Sequence, residues 1–165
     1  MGELQRIFLR EYNIRVKYMI VFKEITEENY SKVINLEIND FQKAFVGGIN
    51  DAIEESKKHE GFFPLVIYDD EIIIGFLMYN NYPEDTTSDK YWIRVIIIDK
   101  KYQKKGYGKL AMEKIINEIK KDKNHNKINL CVEKDNDIAL SLYKKLGFNF
   151  DSRVFNNQHV MELKY

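Results

Sequence analysis

Residues 103–109, Gln103-Lys104-Lys105-Gly106-Tyr107-Gly108-Lys109, combine a glycine pair with three lysines just downstream of an apolar run, Val95–Asp99. Backbone without side chains can approach an anion closely. A helix beginning at such a point would turn unpaired amides and a partial positive charge towards it. These residues therefore suit a pyrophosphate cradle, although the same pattern also describes a glycine turn with solvated lysines. A P-loop needs a Ser or Thr after its lysine, and Leu110 follows Lys109, so magnesium would lack a hydroxyl ligand. GYGKLA fits the dinucleotide fingerprint GxGxxA, with Glu133 downstream as a candidate ribose-binding acid. A dinucleotide turn places its first glycine almost directly after the strand. Here Lys100–Lys105 intervene, and the chain ends before the remaining βα units could form. The third reading is a cradle for an acyl-CoA.

Two helical stripes frame that region. Met112, Ile115, Ile116 and Ile119 predict a helix over about 106–121, and Ala139, Leu142, Tyr143 and Leu146 one over about 136–146. Asp135 or Asn136 can cap the second helix and Gly147 can end it. Before the cradle the pattern predicts a strand at 19–25, helices from Glu27 and over 49–58, and strands at 63–69, 71–80 and 91–98. The polar loop 80–90 contains Pro83. Strands at 128–132, 148–155 and 158–164 complete the chain, the last two joined by Asn156-Asn157-Gln158. This order predicts a mixed α/β (α+β) fold whose sheet is mostly antiparallel.

The stretch 95–116 followed by NDIALSLYKKLGF (136–148) resembles the GNAT superfamily of N-acetyltransferases. An apolar strand precedes Q-x-x-G-x-G (Gln103, Gly106, Gly108), and N-x-x-A-x-x-x-Y-x-x-x-G-F follows (Asn136, Ala139, Tyr143, Gly147, Phe148). Within the superfamily, Gln42, Phe45 and Val46, GFLMYNNYPE and YQKKGYGK are most similar to bacterial spermine/spermidine N-acetyltransferases. The resemblance covers 19–165 and implies one GNAT domain, a single sheet of about seven strands with helices on both faces. Acetyl-CoA would be the cosubstrate, with no metal. Ile96, Ile97 and Ile98 would bond the pantetheine arm through their backbone. The amides of Gln103, Lys104, Lys105, Gly106, Tyr107 and Gly108 would hold the pyrophosphate, Lys109 would add charge, and Asn136 would lie near the cofactor.

Tyr143 would protonate the departing thiolate. A phenol of pKa about 10 can supply a proton to a thiolate whose thiol has a pKa near about 8.5. Relatives often carry a carboxylate base where this chain has Arg94, which cannot act as one. Either the base lies elsewhere, with Glu133 acting through water as the candidate, or the substrate class differs. Glu84, Asp85 and Asp89 in the polar loop are candidate attractants for a cationic amine. The expected acceptor is a polyamine or diamine attacking directly in a ternary complex. Another small amine (an aminoglycoside-like drug or an amino acid) and a non-catalytic acyl-CoA sensor are the alternatives.

The 165 residues, 44% apolar and 32% charged, suit one globular domain. No apolar run approaches the ~20 residues of a membrane span. A single cysteine, Cys131, leaves no intrachain disulfide and suits the cytoplasm. His59, His125 and His159 lack metal-ligand spacing. Charge is segregated: residues 19–99 hold 16 acids and 7 bases, and residues 100–127 hold 10 bases and 3 acids. The basic block is the cradle itself and net charge is zero, so a small-molecule amine is the expected partner rather than nucleic acid or membrane. A homodimer is compatible with this reading. Residues 1–18 lack a secretory h-region and read as an extension before Met19.

Overall fold

Thr26 opens the first helix by a reciprocal cap. Its Oγ1 accepts from the Asn29 amide at 3.4 Å, and Asn29 Oδ1 accepts from the Thr26 amide at 2.9 Å. The helix, α1 (Glu27–Ile34), follows strand β1 (Ile20–Glu24) in a computed structural model that describes residues 19–43, 45, 47–82 and 90–165. The chain then runs through a 3-10 turn (Asp40–Gln42), α2 (Ile49–Lys58), β2 (Phe62–Asp69), β3 (Ile72–Asn81) and β4 (Tyr91–Ile98). It continues through α3 (Tyr107–Ile119), β5 (Lys127–Val132), α4 (Asp137–Lys145), β6 (Asn149–Phe155) and β7 (Gln158–Lys164). The expected elements are present with ends shifted by one or two residues; the 3-10 turn had no periodic signal and was not anticipated. The extension 1–18, Val46, Pro83, Glu84, Asp85 and Asp89 lie outside the described residues.

The strands form one sheet in the order β1-β2-β3-β4-β5-β7-β6. All pairings are antiparallel except β4 with β5. The β6–β7 turn has positive φ at both Asn156 (48°) and Asn157 (68°), the backbone of a type I′ hairpin. Two apolar layers cover the sheet. On one face Met112, Ile115 and Ile116 of α3 and Tyr143 of α4 pack over Leu77, Ile93, Leu130 and Met161. On the other, Val33 of α1 and Ile49, Ala52 and Ile53 of α2 pack over Val66, Phe76, Met78 and Ile97. Helices thus lie on both faces, as the resemblance implied. Among the described residues no helix is long and apolar enough to cross a membrane.

Candidate active site

Two irregularities in β4 make the site. The register with β3 runs Met78 to Val95 and then Tyr79 to Ile93, leaving Arg94 as an extra residue in a bulge. A bulge bends its strand and sharpens the local twist. The parallel pairing with β5 covers only Tyr91–Ile93 against Ile128–Leu130. Past Arg94 the two strands diverge and open a cleft of about 640 Å³ between them.

Alternation along β4 decides which backbone groups face the gap. The Asp99 amide donates back to Ile74 O of β3 at 2.9 Å. Ile97 O also faces β3, so close to Gly75 that a Cβ there would sit 2.3 Å from it. Ile98 O points the other way and accepts from Gln103 Nε2 at 2.8 Å, and Ile96 shares its side. Both Ile96 and Ile98 line the cleft. Ile97 does not join them: its backbone belongs to the β3 ladder and its side chain, 4% exposed, to the opposite core. This corrects the expectation that all three isoleucines present backbone to a ligand.

The glycine loop closes one end of the cleft. Lys104 (φ 60°) and Gly106 (φ 90°) take left-handed backbone conformations, and Gly106 is the N-cap of α3. The first bond of α3 runs from the Leu110 amide to Gly106 O at 3.1 Å, so the Gly108 and Lys109 amides have no intrahelical acceptor. A Cβ on Gly108 would lie 3.8 Å from Leu142 and 3.9 Å from Ile98, which places that backbone where α3, α4 and β4 converge. The Tyr107 side chain is buried, and its hydroxyl donates to Asp69 Oδ2 at 2.6 Å, anchoring the helix start to the end of β2. Of the lysines, Lys104 lines the cleft, Lys105 lies over the Tyr102 ring and Lys109 pairs with Glu113.

Helix α4 forms the opposite wall. Asn136 caps it by accepting from the Ala139 amide at 3.2 Å. At its other end the Gly147 amide (φ 92°) donates to Lys144 O at 3.1 Å and the Phe148 amide to Tyr143 O at 3.0 Å, a Schellman motif. The motif turns Phe148 back onto the residue that accepts its amide: the Tyr143 and Phe148 rings are 6.0 Å apart, and Phe148 is fully buried. The Y-x-x-x-G-F spacing thus has a mechanical meaning, fixing Tyr143 from both its carbonyl and its ring. Tyr143 lines the cleft and is 8% exposed. Burial pushes its phenol up to about 12.

Around the bulge, Arg94, Cys131, Glu133 and Gln158 line the same cleft. Arg94 is paired with Glu55 at 3.2 Å and lies over the Phe62 ring. Glu133 Oε1 accepts from Gln158 Nε2 at 3.1 Å. Burial raises the Cys131 thiol above its ordinary range, which disfavours thiolate chemistry there. Phe41, Gln42 and Phe45 form the remaining wall. Glu55, Gln158 and Ile138 were not anticipated, because only the folded sheet and α4 bring them to the bulge and the cleft. The histidines stand apart from the cleft lining: His125 Nδ1 is 2.9 Å from Asp122 Oδ2, His59 packs on Phe62 and His159 on Phe150.

A splayed strand pair with a glycine-led helix at one end and a capped tyrosine helix opposite has the groups to hold an acyl-CoA. Residues 22–148 match the acetyltransferase (GNAT) family. The chain belongs to that family, and is an N-acetyltransferase. It is 28% identical over 146 residues to a probable spermine N(1)-acetyltransferase of Bacillus subtilis subsp. natto (strain BEST195), covering 86% of this chain and 96% of that protein. A spermine/spermidine N(1)-acetyltransferase of Bacillus subtilis (strain 168) is 27% identical over the same coverage. Among solved structures, spermidine N-acetyltransferase from Vibrio cholerae in complex with CoA and spermine superposes with a TM-score of 0.68 at 18% identity, covering 90% of this chain and 96% of that one. PaiA N-acetyltransferase from Thermoplasma acidophilum in complex with coenzyme A gives 0.66 at 18%, with 89% and 99% coverage. At such identities these structures speak to the fold.

Proposed function

We propose that the protein transfers the acetyl group of acetyl-CoA to a primary amine of a polyamine or diamine, in a ternary complex within the cleft. The observation that carries this reading is the divergence of β4 from β5 after Arg94, which leaves Ile96–Ile98 without a β5 partner between the glycine cradle and buried Tyr143. The residues fit the cosubstrate. Amides from Gln103 to Gly108, with Lys104, suit its pyrophosphate. The Ile96 and Ile98 backbone suits the amides of its pantetheine arm. Asn136 uses Oδ1 as a cap, which leaves its Nδ2 as a donor towards the cleft contents. The bound thioester supplies an activated acetyl group.

The incoming ammonium must lose a proton before its nitrogen can attack. Glu133, held by Gln158, is the carboxylate in the cleft able to take that proton through a water. Arg94 cannot, and its pairing with Glu55 shows the guanidinium engaged as a cation. The Tyr143 phenol, protonated throughout the physiological range, donates a hydrogen bond and then its proton to the sulfur as the C–S bond breaks. Forming the amide takes two protons from the nitrogen: one leaves through Glu133 and water to solvent, and the other, shed by the tetrahedral adduct, replaces the proton that Tyr143 gives to sulfur, so that CoA departs as the thiol. Cys131, with its raised thiol, is not the nucleophile.

The polyamine preference rests on the two spermine-acetylating relatives. A second reading, an amino-acid acceptor, draws on Arg94, a cationic residue of the cleft lining that could receive a carboxylate in exchange for Glu55. Thiol release from acetyl-CoA should be measured against spermidine, spermine, a diamine, a monoamine, an aminoglycoside and amino acids. A kcat/KM for spermidine or spermine at least tenfold above the others is expected. Preference for a carboxylate-bearing amine would replace the polyamine assignment, and no thiol release with any amine would overturn the reading.

A further inference from the structure

Gln42 and Gln103 are 61 positions apart in sequence, and their side-chain amides meet at the edge of the cleft. Gln103 Nε2 donates to Gln42 Oε1 at 2.8 Å and to Ile98 O at 2.8 Å, using both of its protons. Gln103 Oε1 accepts from Asn39 Nδ2 at 2.8 Å. Gln42 Oε1 also accepts from the Asn39 amide at 3.1 Å. Gln103 is thus directed into protein, not into the cleft alone. It joins the end of β4 to a segment, residues 36–48, whose described regular structure is one short 3-10 turn. The near end of that segment is held separately: the Glu37 amide donates to Asp99 Oδ2 at 3.0 Å and the Lys100 amide to Glu37 O at 2.7 Å. The far end carries Phe41 and Phe45, which face the cleft across from α4.

We propose that Gln42 is a positioning residue: through Gln103 it fastens residues 36–43 to the cofactor cradle and so holds the wall against which the acceptor amine docks. This rests on the acetyltransfer reading above for the identity of what docks. The chemistry asked of residue 42 is specific. Among the described residues its side chain bonds through Oε1 alone, as an acceptor. Gln103 must supply donors to two carbonyl oxygens. A carboxylate can therefore replace Gln42, but an apolar chain of the same length cannot. Leu36 and Ile38 pack against the core, whereas Phe41 is exposed, so the part of the segment beyond Ile38 depends on such a tie to stay closed. The cofactor contacts of the cradle and of β4 would remain.

Amide hydrogen exchange over residues 37–43 should be compared in the protein and in Gln42→Met, Gln42→Glu and Gln103→Met, alongside steady-state kinetics. Gln42→Met should speed exchange in that segment about tenfold and raise acceptor KM about five- to twentyfold. Its kcat and acetyl-CoA affinity should stay within about twofold. Gln42→Glu should restore both readouts. Gln103→Met should speed exchange in 37–43 although it lies in another part of the chain, which loss of a local cap at residue 42 would not do. Unchanged exchange in Gln103→Met, or Gln42→Glu behaving like Gln42→Met, would overturn the proposal. If the wild-type protein bound acetyl-CoA but acetylated no amine, the functional reading would fall while the exchange comparison still decided the clamp.

Discussion

Glu133 and Tyr143 approach the cleft from different elements: Glu133 is held by Gln158, a neighbour the sequence pattern does not pair with it, and Tyr143 by Gly147 and Phe148 of its own motif. Tyr143 was readable because the glycine and phenylalanine that immobilise it follow within five residues. The alternation of Ile96 and Ile98 towards the cleft, with Ile97 turned away, was not readable. It depends on the phase of the strand after the bulge at Arg94, and a one-residue change of phase reverses every backbone group. Glu55 was equally hidden, since it meets Arg94 only through the packing of α2 on the sheet. If Glu133 takes the proton of the amine, Glu133→Gln keeps an acceptor for Gln158 but removes the base. Turnover near neutral pH should fall about 10²-fold. The deficit should shrink as pH approaches the pKa of the amine itself, near about 10 for a lysine-like ammonium. A loss that stays constant with pH would remove Glu133 from proton transfer.

At the scale of elements, the helices and most strand ends followed from apolar spacing and caps, and the β6–β7 hairpin from two consecutive asparagines. The bulge at Arg94 was not anticipated, and the free backbone of β4 followed only from the family resemblance, because local composition does not encode where pairing stops. The start of α3 can be tested at Gly106, where φ is 90° and a Cβ would meet no neighbour within 4 Å. Gly106→Val therefore acts through backbone conformation alone, disfavoured there for a β-branched residue. Acetyl-CoA affinity by isothermal titration should fall at least tenfold with the fold intact. A change within about twofold would remove the pyrophosphate from this turn.

The turn after α3 gives a control remote from the cleft. The Asn124 amide and the Tyr91 hydroxyl, at 3.0 and 2.8 Å, bond Asp122, and these contacts lower its carboxyl from 3.8 to about 2. A depressed carboxyl stabilises the fold above its unfolded pKa, and that contribution is lost as pH falls through the folded value. Asp122→Asn should therefore lower Tm by a few degrees at pH 7. The difference should narrow below about pH 4 and be gone only below about pH 2. A difference that persists unchanged in acid would mean that the charge is not what matters there.

For the whole molecule, the sequence separates an acidic 19–99 from a basic 100–127, and if the acceptor is a polyamine, as proposed, acidic residues would attract it. Exposed charges are screened beyond about 10 Å at 0.1 M salt. KM for spermidine should rise with ionic strength, and KM for a monoamine should rise less. A flat response for spermidine would favour a singly charged or neutral acceptor.

The most direct test of acetyl transfer within this cleft compares the protein with Tyr143→Phe in single-turnover thiol release from acetyl-CoA in the presence of the preferred amine. The phenylalanine keeps the ring against Phe148 and removes a hydroxyl that has no hydrogen-bonding partner among the described residues. Melting temperature and acetyl-CoA affinity should therefore stay close to wild type. The transfer rate should fall about 10²–10⁴-fold, because the phenol acts on charge that develops as the thiolate leaves. A well-folded Tyr143→Phe protein that retains at least half of the wild-type rate would contradict this account of the site.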